Sequence, residues 1–374
     1  SGVRVGIDCS VLHGRFSGVE KAVRGLIGGL AETQGEQELV LLCGRKPPLD
    51  LPLPSGMVWH CSDFDPANRL RRIAFQQWEL PRLAKRLGLD VLHGPAYITP
   101  VHARFPTLVS VYDLMVFLYP DLCARANRVH YRLVMPRCVP RCERVLVPSA
   151  IVGSSVVETL RVDPARVRVS HLGLDPIFAR SPDAEEVASL RDRLNLPERF
   201  LLFVGNLEPK KGLDVLVRAL GRLREGPPLV IAGKRAWGVG GLDKLIASEG
   251  IQDSVTFTGY VPDEDLPALY AAARWFVFPS IYEGFGLPPL EAMASGTPVI
   301  ASDGGALPET TGDACVRVEA GSVEELAEAI SASWGDDALR ESLSRAGVVQ
   351  ASRFSWRNHA LDARQLYAEV RHGP

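Results

Sequence analysis

Short apolar runs alternate with longer helical patterns along this chain, and the alternation occurs twice. In the first half we predict strands at 3–8, 38–43, 57–60, 90–93, 107–112, 144–147 and 167–170, with helices at about 19–32, 67–88, 126–139 and 150–160. In the second half we predict strands at 200–204, 228–232, 255–257, 275–278, 297–301 and 314–317, with helices near 212–224, 240–249, 264–273, 288–295, 322–334 and 337–350. This pattern predicts an α/β protein with two parallel, doubly wound sheets. A chain of 374 residues is also too long for one domain with a single hydrophobic core. The proline-containing stretch 175–198 is the expected joint between two domains.

The charge is divided unevenly between the two halves. Residues 1–180 contain 23 Lys and Arg against 16 Asp and Glu, whereas the remaining residues contain 19 against 28. A basic first half suits an anionic partner, such as a phosphate-bearing acceptor or an anionic membrane surface. Arginines that merely solvate helix faces are the alternative. We expect no nucleic-acid partner.

Cysteine usage and hydropathy indicate the compartment. The seven cysteines are scattered and odd in number, which is typical of reduced thiols in the cytosol. No apolar run reaches the roughly 18–20 residues of a membrane-spanning helix, and the chain enters a strand pattern without a signal peptide. We expect a cytoplasmic protein, and a position at the inner face of the membrane stays open.

Two carboxylates, Glu283 and Glu291, lie on either side of a turn rich in glycine and proline, EGFGLPPLE. Gly284 and Gly286 lack a Cβ atom, which lets the backbone approach a ligand closely. The prolines suit the first turn of a helix, and free N–H groups at a helix start suit a phosphate. Carboxylates instead accept hydrogen bonds from sugar hydroxyls. Together these features indicate a nucleotide-sugar site, and two solvated glutamates in a loop are the alternative.

Polar and glycine-rich segments follow several predicted strands, at the sheet edge where open α/β sheets bind ligands. They contain Gly18, Asp113, Gly205, Asn206, Lys210, Lys211 and the segment 302–305. Two lysines at a helix start are unfavourable unless an anion is nearby, which favours a diphosphate over a pair of solvated lysines. We therefore expect the active site in the cleft between the two domains.

Metal and histidine sites are weakly supported. Asp63 and Asp65 resemble a D-x-D metal motif, but Asp65 as the N-cap of the following helix explains the pair more simply. His93 ends a predicted strand and could line the cleft, although a packed or solvated role is favoured for it, as for the other histidines. We expect no metal.

Two segments, 67–86 and 126–144, mix arginines with large apolar residues. Both could lie on an anionic lipid surface as amphipathic helices. Both could equally bury an apolar stripe in the core, which is the interpretation we favour. Pro81 and Pro136 are expected to kink or divide these helices.

The motifs resemble those of the retaining glycosyltransferases of family 4, which have the GT-B fold. The resemblance is carried by VGNLEPKKGLDVLVRAL at 204–220, FTGYVPDEDLPALYAAARWFVFPS at 257–280 and EGFGLPPLEAMASGTPVIASDGGALPE at 283–309. It implies an N-terminal acceptor-side domain of residues 1–177 with 355–374, and a nucleotide-sugar domain of residues 178–354. The closing segment FSWRNHALDARQLY would return as a helix to the first domain.

The resemblance also implies roles for individual residues. Glu283 would contact hydroxyls of the donor sugar, Glu291 would accept from the ribose, and Lys211 would bind the diphosphate with Lys210 beside it. Further donor contacts would come from Gly18, Gly205, Asn206, Tyr260, Val261, Gly284, Phe285, Gly286 and Leu287. No metal or other cofactor is implied, since the nucleotide-sugar is a substrate.

The chain departs from the family pattern at two positions. Many members carry Arg at the place of Asn206, where Lys210 would supply the charge here. Many carry His before the aspartate that corresponds to Asp113, whereas this chain has Tyr112. Tyrosine can hydrogen-bond but cannot take a positive charge, so the proton role of the candidate catalytic pair Tyr112 and Asp113, and the identity of the donor sugar, stay open.

We expect a retaining enzyme that works by front-face displacement, with the leaving diphosphate acting as base. The first-half pattern resembles bacterial mannosyltransferases of surface polysaccharide assembly, which favours GDP-mannose as donor and a sugar, lipid-linked or small-molecule hydroxyl as acceptor. A nucleotide-sugar epimerase or phosphorylase of the same fold, and a non-catalytic scaffold, are the alternatives.

Overall fold

The chain forms two compact units in the computed structural model, which describes residues 2–14, 17–235 and 241–372. Unit 1 contains Ser1–Gly173 and Phe354–Pro374, and unit 2 contains Leu174–Arg353. Arg15 and Phe16 of the loop before the first helix lie outside the described residues. So does position 240, where the predicted helix 240–249 begins.

The described part of unit 1 holds one parallel sheet of seven strands in the order β3-β2-β1-β4-β5-β6-β7. The strands are β1 (Arg4–Asp8), β2 (Glu38–Cys43), β3 (Met57–Cys61), β4 (Val91–Gly94), β5 (Thr107–Ser110), β6 (Arg144–Val147) and β7 (Val167–Val169). The central strands β4 and β5 are buried at every residue. Strands covered on both faces read as continuous apolar runs, which explains why the sequence predicts their positions closely.

Helices connect these strands. They are α1 (Gly18–Glu32), α2 (Arg69–Ala74), a π-helical turn (Phe75–Glu79), α3 (Leu80–Arg86), α4 (Met115–Leu118), α5 (Arg125–Cys138) and α6 (Ala150–Leu160), with 3₁₀ turns at Pro120–Leu122, Val139–Arg141 and Pro164–Arg166. Ser17 and Ser149 cap α1 and α6, because each hydroxyl accepts a backbone N–H of the first turn.

The last helix, α15 (Trp356–His372), belongs to unit 1 and packs on α1. Gly25 permits this contact, because a Cβ atom there would lie 2.1 Å from the Trp356 ring. The Arg364 guanidinium donates to the carbonyls of Leu30 and Thr33 at 3.0 and 2.8 Å. The predicted return of the closing helix to the first domain is confirmed.

His93 is fully buried between the sheet and α15. Its ring nitrogens lie 2.8 Å from the Tyr367 hydroxyl and 2.8 Å from the Ser110 hydroxyl. Burial is the main cause that lowers the pKa of His93 to about 3, so the ring is neutral at physiological pH. The favoured packed role is therefore confirmed for this histidine.

The described part of unit 2 holds a parallel sheet of six strands in the order β10-β9-β8-β11-β12-β13. The strands are β8 (Leu201–Val204), β9 (Leu229–Ala232), β10 (Val255–Gly259), β11 (Trp275–Phe278), β12 (Val299–Ser302) and β13 (Val316–Val318). With the sheet of unit 1, this confirms the predicted α/β fold with two doubly wound sheets.

The helices of unit 2 flank this sheet. They are α7 (Ala184–Leu194), α8 (Leu213–Gly221), α9 (Leu242–Ser248), α10 (Leu266–Ala272), α11 (Leu287–Ala294), α12 (Leu307–Thr311), α13 (Val323–Trp334) and α14 (Asp337–Ala351), with 3₁₀ turns at Pro176–Ala179, Pro209–Lys211 and Gln252–Ser254. The stretch 175–198, the expected joint, contains α7, a helix that we did not predict. Asp183 and Glu186 form a capping box at its start, a signal that the prolines obscured.

The two amphipathic segments differ from the favoured interpretation. Helix α5 buries Met135 and Cys138 but leaves Val129 and Leu133 exposed, so the prediction of a core-facing apolar stripe is confirmed only in part there. Helix α2 buries none of its residues, so the prediction is wrong for that helix. It is correct for the following stretch, where Phe75 and Leu80 are buried. The segment 67–86 is interrupted by the π-helical turn just before Pro81, whereas α5 continues through Pro136 to its end two residues later.

Candidate active site

A buried ion pair in unit 2 joins two of the predicted catalytic residues. Lys211 Nζ lies 2.6 Å from Glu283 Oε1, and the Ser280 hydroxyl donates to the same oxygen at 2.6 Å. Burial by itself raises the pKa of Glu283, but the charges of Lys211 and Lys210 and the hydrogen bonds from Lys211 and Ser280 outweigh it and hold the pKa below its ordinary value. Glu283 is therefore an ionised acceptor at neutral pH.

The ion pair forms because two loops are tied together at the carboxyl ends of β8 and β11. The carbonyl of Lys210 accepts from the backbone N–H of Ile281 at 2.8 Å and lies 3.1 Å from the Ser280 hydroxyl oxygen. Lys211 Nζ also lies 5.1 Å from the centre of the Phe278 ring. These contacts fix the lysine segment against the glutamate loop.

Gly305 supports the backbone of Glu283. The two residues form a parallel bridge, and the Ala306 N–H donates to the Glu283 carbonyl at 2.8 Å. Gly305 has a φ of +63°, and a Cβ atom there would lie 2.2 Å from the Glu283 carbonyl oxygen. Only glycine fits both the angle and the space. This residue lies in the polar segment 302–305, but the sequence did not single it out.

Helix α11 starts within the glycine-rich turn, with Gly286 as its N-cap residue and Leu287 as its first residue. Pro288 and Pro289 follow and have no N–H group. The backbone donors of the first turn are therefore reduced to those of Gly286 and Leu287. The Phe285 side chain is buried, and its carbonyl accepts from the Thr310 hydroxyl at 2.9 Å, while Gly284 is only half-buried.

Glu291 lies on α11 and is 4% exposed. Its Oε2 accepts a hydrogen bond of 3.0 Å from the hydroxyl of Tyr270, a fully buried residue of α10. Burial, followed by the nearby Glu291 charge, raises the pKa of Tyr270 well above its ordinary value. Tyr270 therefore stays a donor and orients the carboxylate, a role that the sequence did not indicate.

The remaining unit 2 candidates follow neighbouring strands. Gly205 donates its N–H to the Ala232 carbonyl at 3.0 Å, and the next residue, Asn206, is exposed. Tyr260 follows β10 and is 47% exposed, whereas Val261 is buried. Lys234 Nζ lies 4.5 Å from the centre of the Tyr260 ring, so an exposed aromatic face and a cation lie side by side at this edge.

In unit 1, Gly18 is the exposed first residue of α1, and Ser17 is the N-cap. The first turn of α1 also holds Glu20, a buried carboxylate whose Oε1 lies 3.6 Å from His13 Nδ1. No motif in the sequence predicts this pair. A carboxylate near a helix N-terminus is stabilised by the helix dipole.

Tyr112 and Asp113 occupy an aromatic cluster after β5. The Tyr112 hydroxyl donates to the Pro95 carbonyl at 2.7 Å, and burial raises the pKa of Tyr112. Asp113 accepts from the Tyr97 hydroxyl at 2.9 Å and from the Met115 N–H at 3.0 Å. Tyr97, a residue the sequence did not single out, has a φ of +71°, an unusual angle for a bulky residue that is maintained by this packing.

Asp63 and Asp65 have other partners than a metal. Asp63 pairs with Arg45 at 3.0 Å, and Asp65 accepts from the Ala67 N–H at 2.9 Å. The cap of α2 is Asn68, so the prediction that Asp65 caps this helix is wrong. Within residues 2–14, 17–235 and 241–372, no group of three or more His, Cys, Asp or Glu is placed to hold a metal ion. Nor is any helix in those ranges long and apolar enough to span a bilayer.

Comparison with known proteins places both halves in related families. The model of the family described as Glycosyl transferases group 1 matches residues 188–349, and that of Glycosyltransferase Family 4 matches residues 16–178. O-antigen chain mannosyltransferase B of Escherichia coli is 33% identical over 273 residues, which cover 72% of this chain and 71% of that protein. Serotype-specific mannosyltransferase WbdA of Escherichia coli is 31% identical over 279 residues, and the match spans only 34% of its length.

A solved structure agrees with the fold over nearly the whole chain. Anabaena HepE, crystallised in complex with UDP and glucose, matches with a TM-score of 0.75 and 18% identity, covering 98% of this chain and 99% of its own. At that identity the likeness concerns the fold, and the sequence matches carry the family. The chain therefore belongs to the retaining glycosyltransferases of family 4, enzymes of the GT-B fold that transfer a sugar from a nucleotide-sugar donor to an acceptor.

Proposed function

We propose that this protein transfers mannose from GDP-mannose to a hydroxyl acceptor, with retention of configuration, during assembly of a surface polysaccharide or glycolipid. The Lys211–Glu283–Ser280 cluster at the carboxyl ends of β8 and β11 carries the proposal, because it combines a cation for a diphosphate with an ionised acceptor for sugar hydroxyls. The choice of mannose is supported by the names of the two Escherichia coli relatives described above, both of which are mannosyltransferases. We place the protein in the cytoplasm, at the inner face of the membrane.

In this proposal the donor diphosphate binds beside Lys211 and Lys210, with the N–H groups of Gly286 and Leu287 as further donors. The C1–O bond to the diphosphate breaks, and the acceptor oxygen bonds to C1 from the same face. The proton of the acceptor hydroxyl passes to an oxygen of the leaving diphosphate. Lys211 stabilises the charge that develops on this group, and Glu283 holds the sugar hydroxyls in the reacting geometry.

The other candidates have positioning roles in the proposal. Tyr260 and Val261 cradle the base, and Tyr260 offers its exposed ring. Gly205, Asn206, Gly284 and Phe285 shape the donor site. Gly18, Tyr112 and Asp113 are the candidate residues in unit 1. Because the Tyr112 hydroxyl donates to a backbone carbonyl, we assign this residue to packing and orientation instead of proton transfer.

The experiment that tests the function is a donor panel with product analysis. The protein is incubated with GDP-mannose and with UDP-, ADP- and dTDP-sugars, each with soluble and lipid-linked acceptors, and the products are identified by mass spectrometry. We expect a product heavier by one hexose with GDP-mannose, and the α-configuration by NMR. Release of free sugar without acceptor would favour an epimerase. The absence of thermal stabilisation by any nucleotide would favour a scaffold.

Glu291 provides a sharper test of donor binding. Replacing it with Gln keeps an acceptor for Tyr270 but removes the charge that would hold the ribose hydroxyls. Since charged hydrogen bonds contribute about 1.5–3 kcal/mol, we expect the Kd for GDP to rise about tenfold or more. The Kd for 2′,3′-dideoxy-GDP should stay unchanged, as measured by calorimetry. An equal rise in Kd for both nucleotides would show that Glu291 does not bind the ribose hydroxyls.

A further inference from the structure

Helices α2 and α5 and the chain around them expose an unusual number of large apolar side chains. Leu70 is 79% exposed, Trp78 60%, Val129 53% and Leu133 54%. Leu118 and Tyr119, at the end of α4, are also exposed at 41% and 37%. We call the surface formed by Leu70, Trp78, Leu118, Tyr119, Val129, Leu133 and the arginines between them the arginine–apolar face. Exposed apolar patches of this kind indicate an interaction site.

Helical spacing explains how α5 presents this face. Positions 125, 128, 129, 132 and 133 repeat at intervals of three and four residues and therefore lie on one side of the helix. They alternate arginine with Val129 and Leu133. The buried residues Met135 and Cys138 belong to another side. The helix thus turns its arginines and aliphatic side chains to solvent together.

Direct contacts hold the parts of the face in place. Arg69 donates to Asn127 Oδ1 at 3.1 Å and to the Ala126 carbonyl at 3.0 Å, which joins the start of α2 to the start of α5. On the other side, Arg132 lies over the Phe117 ring and donates to the Val116 carbonyl at 3.3 Å. A groove of about 410 Å³ lies between the 3₁₀ turn Pro120–Leu122 and α5, and it is lined by Pro120, Asp121, Arg128, Val129, Arg132 and Leu133.

The positive charge of the arginine–apolar face favours an anionic binding partner. Segments 69–86 and 118–138 together contain ten Lys and Arg but only two acidic residues, Glu79 and Asp121. Each of these acids already pairs with an arginine of the same segment. Excess positive charge attracts an anionic surface, and leucine, valine and tryptophan side chains gain free energy by entering the headgroup and acyl boundary. Nucleic acid would use the charge but not the aliphatic side chains.

We propose that the arginine–apolar face docks this protein onto an anionic lipid bilayer. The arginines contact lipid phosphates, and Leu70, Trp78, Val129 and Leu133 insert beside them. This inference deepens the proposed location at the membrane and is independent of the donor. It would let the enzyme act on an acceptor that is itself held in the membrane.

Vesicle sedimentation tests the proposal with the full chain. We expect binding to phosphatidylcholine vesicles that contain phosphatidylglycerol, weak binding to pure phosphatidylcholine, and loss of binding at high salt. Trp78→Ser combined with Leu133→Ser should lower the partition coefficient about tenfold or more, since both substitutions remove apolar groups that would enter the acyl boundary. Arg71→Glu combined with Arg125→Glu should reduce binding to the level seen without anionic lipid.

Matched controls keep the test specific. Val348→Ser with Val349→Ser removes two exposed apolar side chains from α14, and Arg353→Glu with Arg357→Glu reverses two exposed charges elsewhere. All variants change exposed residues, so their Tm should stay close to that of the wild type. The proposal is wrong if the wild-type protein does not bind anionic vesicles. It is also wrong if the two control double variants reduce binding as much as the variants of the arginine–apolar face.

Two further measurements distinguish membrane binding from the proposed transferase function and from a protein–protein contact. Transfer to a water-soluble acceptor should be unchanged in the face variants, so a protein that binds vesicles but transfers nothing would refute the proposed function alone. If the face variants instead abolish a dimer seen by size-exclusion chromatography, with no vesicle binding by the wild type, the surface contacts protein and not lipid.

Discussion

Replacing Glu283 with Ala should lower the transfer rate by about two to three orders of magnitude while GDP affinity changes little. That is the usual scale for losing one group that holds the transition state. The carboxylate is fixed by Lys211 and Ser280 at 2.6 Å each, so it is positioned before the donor arrives. The base, ribose and diphosphate contacts do not involve Glu283 in our proposal. Steady-state kinetics with GDP-mannose, together with calorimetry of GDP binding, measure both quantities.

Two controls make this result interpretable. Glu283→Gln keeps the size of the side chain and an acceptor for Ser280. This variant should also transfer slowly, because the amide side chain carries no negative charge. Glu264→Ala changes an exposed glutamate of unit 2 and should leave the rate intact. Thermal unfolding shows whether each variant is folded at the assay temperature. Near-normal turnover of a folded Glu283→Ala protein would remove Glu283 from the reaction.

Replacing Lys211 with Ala should weaken donor binding, turnover and stability together. The change leaves the buried Glu283 carboxylate without its cation, and breaking a buried pair in this way typically costs about 3–5 kcal/mol. Calorimetry of GDP binding, transfer kinetics and urea unfolding measure the three effects. Lys210→Ala is the matched control, since Lys210 is tied to the glutamate loop through its backbone carbonyl, and its effect on stability should be smaller.

In Lys211→Ala, the contribution of Glu283 to folding stability should depend on pH in the opposite direction from the wild type. In the wild type the pKa of Glu283 lies below its ordinary value of 4.5, so its contribution to stability is complete at higher pH and is lost as the pH falls through that region. Without Lys211, burial dominates and raises the pKa. The contribution of Glu283 to the stability of the variant is then most favourable at low pH and is lost as the pH rises. The difference in unfolding free energy from the wild type should be larger at pH 8 than at pH 5, and a constant difference would contradict the assignment.

The sheets could be predicted because their strands are buried on both faces. β11, with the sequence WFVF, is apolar at every residue, so its position and the polar loop after it follow directly from the sequence. Short helices such as α4 carry no full period of apolar residues and were missed. The capping box of α7 could have been found from Asp183 and Glu186, but the prolines on either side favoured a joint between the two domains.

The candidate site was predictable where side-chain chemistry shows in the sequence. Glu283 and Lys211 are charged residues beside glycines, so the sequence indicated both of them, and the structure pairs them. The residues that hydrogen-bond the site carboxylates are harder to recognise in the sequence. Ser280 could have been found from its place in the same loop, three residues before Glu283. Tyr270 had no signal, because its hydroxyl meets Glu291 only through the packing of α10 against α11.

The exposed apolar residues could not be assigned from periodicity alone. An amphipathic pattern fits both a helix that packs on a core and a helix that faces a lipid surface. Only burial distinguishes them: Phe75 is 1% exposed, while Trp78, three residues later, is 60% exposed. The contacts that decide this come from distant parts of the chain.

The return of α15 to unit 1 has a consequence for biosynthesis. Leu366 and Tyr367 share one core with Leu26 and Leu30, although more than three hundred residues separate them in the chain. A ribosome therefore releases the whole of unit 2 before the segment that completes unit 1 emerges. The later half of the polypeptide can mature first, while the earlier half waits with an uncovered apolar flank that a chaperone would recognise.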